Sequence, residues 1–340
     1  MLKKTKVAIN GFGRIGRAVF KIILEKHPNL DIVAINDLTD PKSLANLLKH
    51  DTAYGIYDKE VGIKDGKLMI GKKGIIMLND KEPTNLPWKD LGVELVIECT
   101  GFFRTKDEAS RHLKAGAKKV VISAPSKGDK KIKTIVLGVN EKKLTKTDNI
   151  ISCASCTTNC LAPVTEIIRE NFGIQKALMS TIHGYTADQN LVDGPHKDPR
   201  RGRAAAQNIV PTTTGAAKAT IETIPSLKNK FNGIAVRVPI LVGSLIDATY
   251  VLKKKTNLDK VHNVFKKAAR SAQYKGILET TEEPLVSTDI IKTSASSIVD
   301  FGFTQIIDGD LLKIVAWYDN EWGYSNRLAD LSSLLAQKYL

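Results

Sequence analysis

The feature that most constrains the fold is Gly11-Phe12-Gly13-Arg14-Ile15-Gly16. It joins a β-branched run, Lys6-Val7-Ala8-Ile9-Asn10, to a stretch from Arg14 to Lys26 with apolar residues at helical spacing. A strand that enters a helix through glycines at this spacing needs a tight turn at the first. It needs room for a close ligand at the second and close helix-to-strand packing at the third. Leu30 to Asn36 returns to a strand pattern and completes a βαβ unit. The start of the intervening helix offers partial positive charge to a pyrophosphate. Asp37 ends the second strand where a carboxylate accepts hydrogen bonds from adenosine ribose hydroxyls. Gly11, Gly13, Gly16 and Asp37 are therefore candidate dinucleotide contacts. An acidic Asp37 repels the 2′-phosphate of NADP, and Leu38 beside it carries no offsetting charge, so NAD is the expected cofactor. The competing reading is that Asp37 only caps the turn into Leu38-Thr39-Asp40.

Further buried-strand patterns occur at Val93 to Glu98, Lys119 to Ser123 and Thr134 to Leu137, with a helical stretch from Lys106 to Ala115. This alternation predicts a doubly wound parallel sheet of Rossmann type. Between Tyr54 and Leu78 the pattern shifts to short runs broken by glycine, which predicts antiparallel hairpins. After Asn171, long strands are expected at Gln175 to His183, Gly233 to Val238, Ser244 to Leu252 and Leu311 to Tyr318, and a helix at Leu258 to Tyr274. The expected architecture is thus α/β: a Rossmann domain over 1–155, then an α+β domain over 156–324 with a largely antiparallel sheet. A C-terminal helix, 325–340, is expected to dock back on the first domain. A chain of 340 residues, 42% of them hydrophobic, is long enough for two cores. No apolar run approaches the roughly 18 residues of a membrane span, and Met1-Leu2-Lys3-Lys4-Thr5-Lys6 leads into a strand, so a cytoplasmic location and no membrane partner are expected.

Three of the four cysteines, Cys153, Cys156 and Cys160, fall within eight residues. Cys156 opens a helical stretch that runs toward Arg169, with Ser155 as its N-cap. A thiolate in the first turn is stabilised by the helix dipole and free amides, so a lowered thiol pKa is expected there, and the residue's own amide can donate to an oxyanion. His183, at the end of an expected strand, is the candidate base, because the other histidines lie in polar or charged surroundings. Two alternatives are weaker. Cys153-x-x-Cys156 resembles a redox pair, but such a motif belongs near the start of a thioredoxin-like fold. Zinc on Cys153, Cys156, Cys160 and His183 lacks the paired spacing of structural sites, so no metal is expected. Cys160, one turn from Cys156, is placed for an oxidation-induced disulfide. Thr186, Arg201, Arg203, Thr212-Thr213-Thr214-Gly215 and Arg237 supply the hydroxyls and guanidiniums that bind phosphate.

The formal charge is +15, with 51 Lys and Arg against 36 Asp and Glu. The lysines are scattered in pairs and triplets such as Lys72-Lys73, Lys130-Lys131 and Lys253-Lys254-Lys255, without interleaved aromatics, so nucleic acid is not expected as the primary partner.

The string Ala154-Ser155-Cys156-Thr157-Thr158-Asn159-Cys160-Leu161-Ala162-Pro163 resembles the active-site signature of the glyceraldehyde-3-phosphate dehydrogenase family. Ala8-Ile9-Asn10-Gly11-Phe12-Gly13-Arg14-Ile15-Gly16-Arg17 and Trp317-Tyr318-Asp319-Asn320-Glu321-Trp322-Gly323-Tyr324-Ser325 are similar to it as well. The resemblance implies a phosphorylating NAD-dependent aldehyde dehydrogenase of glycolysis that converts D-glyceraldehyde 3-phosphate, phosphate and NAD to 1,3-bisphosphoglycerate and NADH through a thioester. It implies that Cys156 attacks the aldehyde and that His183 moves the proton. It puts Thr186 and Arg237 at the substrate phosphate, and Ser155, Thr157, Arg201, Thr214 and Gly215 at the inorganic phosphate. Arg14, Ile15, Asp37, Ser123 and Asn320 fall on the cofactor. Asp188 to Thr214 resembles a loop that closes a neighbouring subunit's site, which implies a homotetramer. Two departures stand out. Cys153 replaces the family's usual asparagine, and Ile240-Leu241-Val242-Gly243-Ser244 lacks its Thr-Pro-Asn continuation. The first is expected to alter thiol redox behaviour and the second interface packing, neither touching the chemistry. The alternative within the family is an erythrose-4-phosphate dehydrogenase; the alternative outside it is a charge-driven nucleic-acid or surface-binding protein.

Overall fold

A computed structural model describes residues 4–340, so Met1, Leu2 and Lys3 of the N-terminal lead-in lie outside the described residues. The chain forms two compact units. One holds the segment up to Ile135, Lys142–Ala154 and Ser325–Leu340; the other holds Val136–Glu141 and Ser155–Tyr324.

In the first unit, β1 (Thr5–Asn10), α1 (Arg14–Lys26) and β2 (Leu30–Asn36) form the βαβ start, followed by α2 (Pro41–Lys49) and a small hairpin of β3 (His50–Asp51) and β4 (Gly55–Ile56). Strands β5 (Val61–Lys64), β6 (Lys67–Ile70) and β7 (Lys73–Leu78) form the expected antiparallel segment, and β7 then lies parallel to β2. After α3 (Trp88–Leu91), the chain crosses to the other side of β1 through β8 (Leu95–Glu98), α4 (Lys106–Lys114), β9 (Lys119–Ile122), β10 (Lys133–Thr134) and β11 (Ile150–Ser152). The sheet order β10-β11-β9-β8-β1-β2-β7-β6-β5 reverses direction at β1, and a crevice at the carboxyl ends of β1 and β8 is the usual ligand position in such a sheet. Leu95, Val96 and Ile97 of β8 and Val120, Val121 and Ile122 of β9 are buried on both faces, as expected for strands covered by helices on each side. Helix α4 starts on a capping box in which Thr105 and Glu108 satisfy each other's backbone N–H. Lys26 Nζ donates to Asn326 Oδ1 at 3.0 Å, and the Tyr339 hydroxyl donates to Leu144 O at 3.1 Å, tying the C-terminal segment into this unit.

The expected strand at Thr134 to Leu137 is only Lys133–Thr134. The chain turns at once, because the Val139 and Asn140 amides both donate back to Val136 O and Gly138 takes φ +84.

The second unit opens with α5 (Cys156–Phe172) and β12 (Ile174–Gly184). It continues through β13 (Val210–Thr213), α6 (Ala216–Thr223), β14 (Phe231–Val238), β15 (Ser244–Leu252), α7 (Leu258–Arg270), β16 (Leu278–Thr281), β17 (Ser297–Ile307) and β18 (Leu311–Tyr318). Its sheet, β13-β14-β12-β15-β18-β17-β16, is mostly antiparallel, but the β12–β14 and β16–β17 pairs are parallel. Strand β17 has no clear alternation in sequence because its register slips between Asp300 and Gln305, where Asp300 turns to accept from the Gly302 amide and from Trp317 Nε1. Helix α8 (Trp322–Tyr339) is capped by the fully buried Asp319, whose Oδ1 accepts from the Glu321 and Trp322 amides.

Candidate active site

Cys156 is the first residue of α5. Ser155 is its N-cap, and the Ser155 Oγ accepts from the Thr158 amide at 3.1 Å. His183, 4% exposed, stands one residue before the end of β12, and its Nε2 lies 3.4 Å from Cys156 Sγ. A helix start and a strand end thus hold the thiol and the imidazole in hydrogen-bond reach.

The surroundings reverse one expectation. Although Cys156 is half-buried, burial pushes its thiol above the ordinary range, outweighing the Arg237 guanidinium and the first-turn amides that pull it down. Burial, and then Arg237, push His183 down to about 3. The resting pair is therefore a neutral thiol beside a neutral imidazole. Nucleophile formation has to come from proton transfer to His183, not from a thiolate stabilised in advance.

Arg237 is His183's direct neighbour across the parallel β12–β14 pair. Its Nη1 contacts His183 Nδ1 and donates to Gly184 O at 3.0 Å, while its Nε is buried with no hydrogen-bond partner among the described residues.

A second support is Tyr318, fully buried, whose ring meets the His183 ring edge-on with centroids 6.0 Å apart. The Tyr318 hydroxyl lies 2.8 Å from Thr157 Oγ1 and 2.9 Å from Thr181 Oγ1, and Thr181 Oγ1 donates to Leu245 O. With the Thr181 proton committed to a carbonyl, every contact is satisfied only if Thr157 donates to Tyr318 and Tyr318 to Thr181.

The remaining phosphate candidates differ in availability. Thr186 is partly buried on the loop after β12, and Gly215 is exposed as the N-cap of α6. Thr214 Oγ1 accepts from the Ala216 amide at 3.1 Å. Arg201 is occupied: its Nε donates to Thr212 Oγ1, its Nη2 to Thr213 O and its Nη1 to Asp188. Arg203 pairs with Asp193 at 2.8 Å. Both arginines brace their own loop.

In the first unit, a cavity of about 780 Å³ lies at the switch point, lined by Gly11, Gly13, Asp37, Leu38, Thr100 and Phe102 among others. The glycines divide their tasks as the motif predicts. A Cβ at Gly11, at φ +90, would lie 2.7 Å from Thr100 N, and one at Gly16 would lie 2.1 Å from Gly11 O. A Cβ at Gly13 would meet nothing within 4 Å, so the space beside it is open to a pyrophosphate. Helix α1 has no side-chain cap and no acidic residue in its first turn, as an anion site requires. Asp37 accepts from the Phe12 amide at 2.7 Å and from the Thr39 amide at 2.9 Å, one per oxygen, which leaves further lone pairs for ribose hydroxyls. It therefore caps the turn and faces the cavity, and the residues present fit NAD. The Arg14 side chain is bound to Asp51 at 2.7 Å and lies over the Tyr54 ring. Ile15 is half-buried beside it, and Ser123 lies beside the half-buried Cys99 thiol. The cavity floor rests on Glu98, buried, which accepts from Asn10 Nδ2 at 2.6 Å and from the Thr100 amide at 2.7 Å.

Asn320, in the second unit, has its Oδ1 held by the Gly243 amide at 3.1 Å and by Ser244 Oγ at 2.9 Å, leaving its amide nitrogen to donate. The departure at Ile240 to Ser244 thus bears on a cofactor candidate, which its sequence position did not reveal. Cys153 is a buried thiol. Among the described residues no group of His, Cys, Asp and Glu is arranged to hold a metal, and no helix is long and apolar enough to cross a membrane.

Sequence reasoning missed Tyr318 and the Glu98 support. Both act through residues far apart in the chain, and neither carries a local signal.

Residues 5–106 match the model of the NAD binding domain of glyceraldehyde 3-phosphate dehydrogenase, and residues 155–320 match that of its C-terminal domain. The chain is 50% identical over 336 residues to the glyceraldehyde-3-phosphate dehydrogenase of Geobacillus stearothermophilus, covering 98% of this chain and 99% of the relative. It is 50% identical over 338 residues to that of Borreliella burgdorferi (98% and 100% covered) and 51% identical over 328 residues to that of Streptomyces coelicolor (96% and 97% covered). With a thiol and an imidazole paired in the matched C-terminal domain and a dinucleotide cavity in the matched NAD domain, the chain belongs to the glyceraldehyde-3-phosphate dehydrogenase family.

Proposed function

We propose that this enzyme oxidises D-glyceraldehyde 3-phosphate to 1,3-bisphosphoglycerate with inorganic phosphate and NAD, through a thioester on Cys156. The observation that carries the reading is the 3.4 Å approach of Cys156 Sγ to His183 Nε2, with Arg237 alongside. His183 takes the thiol proton, sulfur bonds to the aldehyde carbon, and the Cys156 amide donates to the oxygen that becomes negative. NAD, when bound, accepts the hydride that leaves this carbon. His183 holds the thiol's proton while the thioester exists, and it returns a proton to sulfur when inorganic phosphate displaces Cys156. In this reading Arg237 and Thr186 bind the substrate phosphate, and Ser155, Thr157, Thr214 and Gly215 surround the inorganic phosphate. Arg201 joins them only by exchanging its loop contacts. Gly11, Gly13, Arg14, Ile15, Gly16, Asp37, Ser123 and Asn320 serve the cofactor. The cofactor domain is 1–155 with the 325–340 helix, and the catalytic domain is 156–324.

The same reading makes the enzyme a cytoplasmic homotetramer. Large apolar side chains stand exposed on the 188–214 loop (Leu191, Val192, Ile209) and on the sheet of the second unit (Leu178, Ile234, Phe303), which is the kind of surface that partner subunits cover.

Steady-state NADH production from D-glyceraldehyde 3-phosphate, run with and without phosphate, tests the function. Turnover that needs phosphate supports it. Turnover indifferent to phosphate rejects the phosphorylating step and favours hydrolysis of the thioester, as in an erythrose-4-phosphate dehydrogenase.

A further inference from the structure

We infer that Arg237 is also the positioning residue that sets which nitrogen of His183 carries the proton, and that capture of a phosphate monoester by Arg237 switches the imidazole to the form that accepts the Cys156 proton. The inference rests on the roles proposed above for Cys156 and His183.

His183 Nδ1 has two neighbours that make opposite demands. Gly184 O, at 2.7 Å, is an acceptor and calls for a proton on Nδ1. Arg237 Nη1 is a donor and calls for a lone pair there. One nitrogen cannot meet both demands. Arg237 Nη1 also donates to Gly184 O at 3.0 Å, so the guanidinium already satisfies that carbonyl in place of the imidazole. With the cation on Nδ1, the ring proton sits on Nε2 and points at Cys156 Sγ. That tautomer has no lone pair with which to take the thiol's proton.

The resting position of Arg237 is poorly matched on its other side. Its Nε is buried and has no hydrogen-bond partner among the described residues, an uncompensated desolvation. A phosphate monoester accepts two parallel N–H bonds from one edge of a guanidinium. Binding there satisfies Nε and draws the cation off Nδ1. The imidazole then gains a proton from water at Nδ1, which donates to Gly184 O, and releases one to water from Nε2. The net proton count is unchanged, and a lone pair now faces the thiol.

The charged and titratable groups that face Arg237 are Cys156, Tyr318, Arg201 and Asp188. Burial holds Tyr318 protonated, and Arg201 and Asp188 are paired with each other, so the arriving anion is the main change in charge. Burial, and then Arg237, hold His183 down to about 3, so it is neutral at rest, and because the exchange leaves its proton count unchanged the switch is tautomeric. An aldehyde without a phosphate leaves the base in the wrong tautomer, which makes Arg237 a specificity device as well as an anchor.

The test is a two-bond ¹H–¹⁵N spectrum of the full-length, NAD-loaded chain labelled at histidine nitrogen, with His183 assigned by its loss in His183→Gln. The probe is glycerol 3-phosphate, with glycerol and sodium chloride at matched ionic strength as controls. The expected result is an Nε2-protonated His183 in the controls and an Nδ1-protonated one with the monoester. The same tautomer in both overturns the inference. Arg237→Leu should be Nδ1-protonated without any anion and unresponsive to it; a variant that keeps the Nε2 proton also overturns it, and if this variant does not fold, the wild-type titration decides alone. Assay of the unsubstituted sample for phosphate-dependent NADH formation separates the two claims. Activity without a switch rejects this inference alone, and a switch without activity rejects the proposed function.

Discussion

Cys156 Sγ stands 3.4 Å from His183 Nε2, and the spacing is set by two rigid elements: the first residue of a 17-residue helix and the penultimate residue of an 11-residue strand. The strand is locked on both sides, by β14 and by β15, so the imidazole has little freedom to leave the thiol. Burial keeps both groups neutral at rest, and the pair becomes reactive when a proton crosses this one gap.

Replacing the nucleophile tests the pair most directly. Cys156→Ser puts a far weaker nucleophile at the helix start, and NADH production should fall by roughly four or more orders of magnitude. The Ser155 cap and the helix are untouched, so thermal unfolding should shift by only a few degrees. Full activity in a cleanly folded variant would remove Cys156 from the mechanism.

The neutral state of His183 has a consequence for acid stability. Its pKa is about 3 in the folded chain, well below the ordinary value of 6.5, so between those two values the unfolded chain binds a proton that the folded chain does not. The stability gained by burying the neutral ring is complete above the unfolded value and is lost as the pH falls toward the folded one. Unfolding temperatures should therefore drop further on acidification from about pH 7 to about pH 4 in the wild type than in His183→Gln, by roughly a few degrees. Parallel curves for the two proteins would contradict a buried neutral imidazole.

Tyr318→Phe removes one oxygen and leaves Thr157 and Thr181 without the partner between them. Stability should fall by about 1–3 kcal/mol. If the relay also orients Thr157 toward the thiol, kcat should fall several-fold while KM for NAD stays constant. Denaturant melts and initial rates on one preparation separate the two effects, and an unchanged kcat would confine Tyr318 to a structural role.

What could be read in the sequence was what a short segment determines. Gly11, Gly13 and Gly16 declare a turn, a gap and a contact within six residues, and Ser155 declares a helix start one residue before Cys156. What could not be read depends on register and long closure. Arg237 meets His183 because β12 and β14 run parallel with those two residues opposite each other. The bonds of Tyr318 span 161 and 137 residues. The thiol shift runs opposite to what the helix start alone predicts for a related reason. The helix start that lowers it is visible in the sequence, whereas the burial that outweighs the helix is a property of the assembled fold.

Asp37 carries the cofactor preference. Asp37→Ser removes the charge that repels a 2′-phosphate, together with the acceptor held by the Phe12 and Thr39 amides. KM for NAD should rise by at least about tenfold, the weight of one hydrogen bond to a charged group, and the preference for NAD over NADP should narrow. Initial rates with both cofactors measure this. An unchanged NAD to NADP ratio would leave Asp37 as a turn cap only.

Gly13 and Gly16 offer the sharpest separation of ligand binding from folding. A methyl at Gly16 would lie 2.1 Å from Gly11 O, backbone that cannot withdraw without opening the first turn, so Gly16→Ala should lose several kcal/mol of stability or fail to fold. A methyl at Gly13 meets nothing within 4 Å, and Gly13, at φ −71, lies outside the left-handed region that side chains avoid. Gly13→Ala should therefore melt within a few degrees of the wild type. The methyl instead occupies the space left for the pyrophosphate, and NAD affinity by titration calorimetry should fall by at least about tenfold, or roughly 1.4 kcal/mol. Cys156 lies in the other unit, so its alkylation by iodoacetamide should proceed at the wild-type rate in Gly13→Ala without NAD. Undiminished NAD binding by Gly13→Ala would mean that the dinucleotide does not approach the chain at this turn.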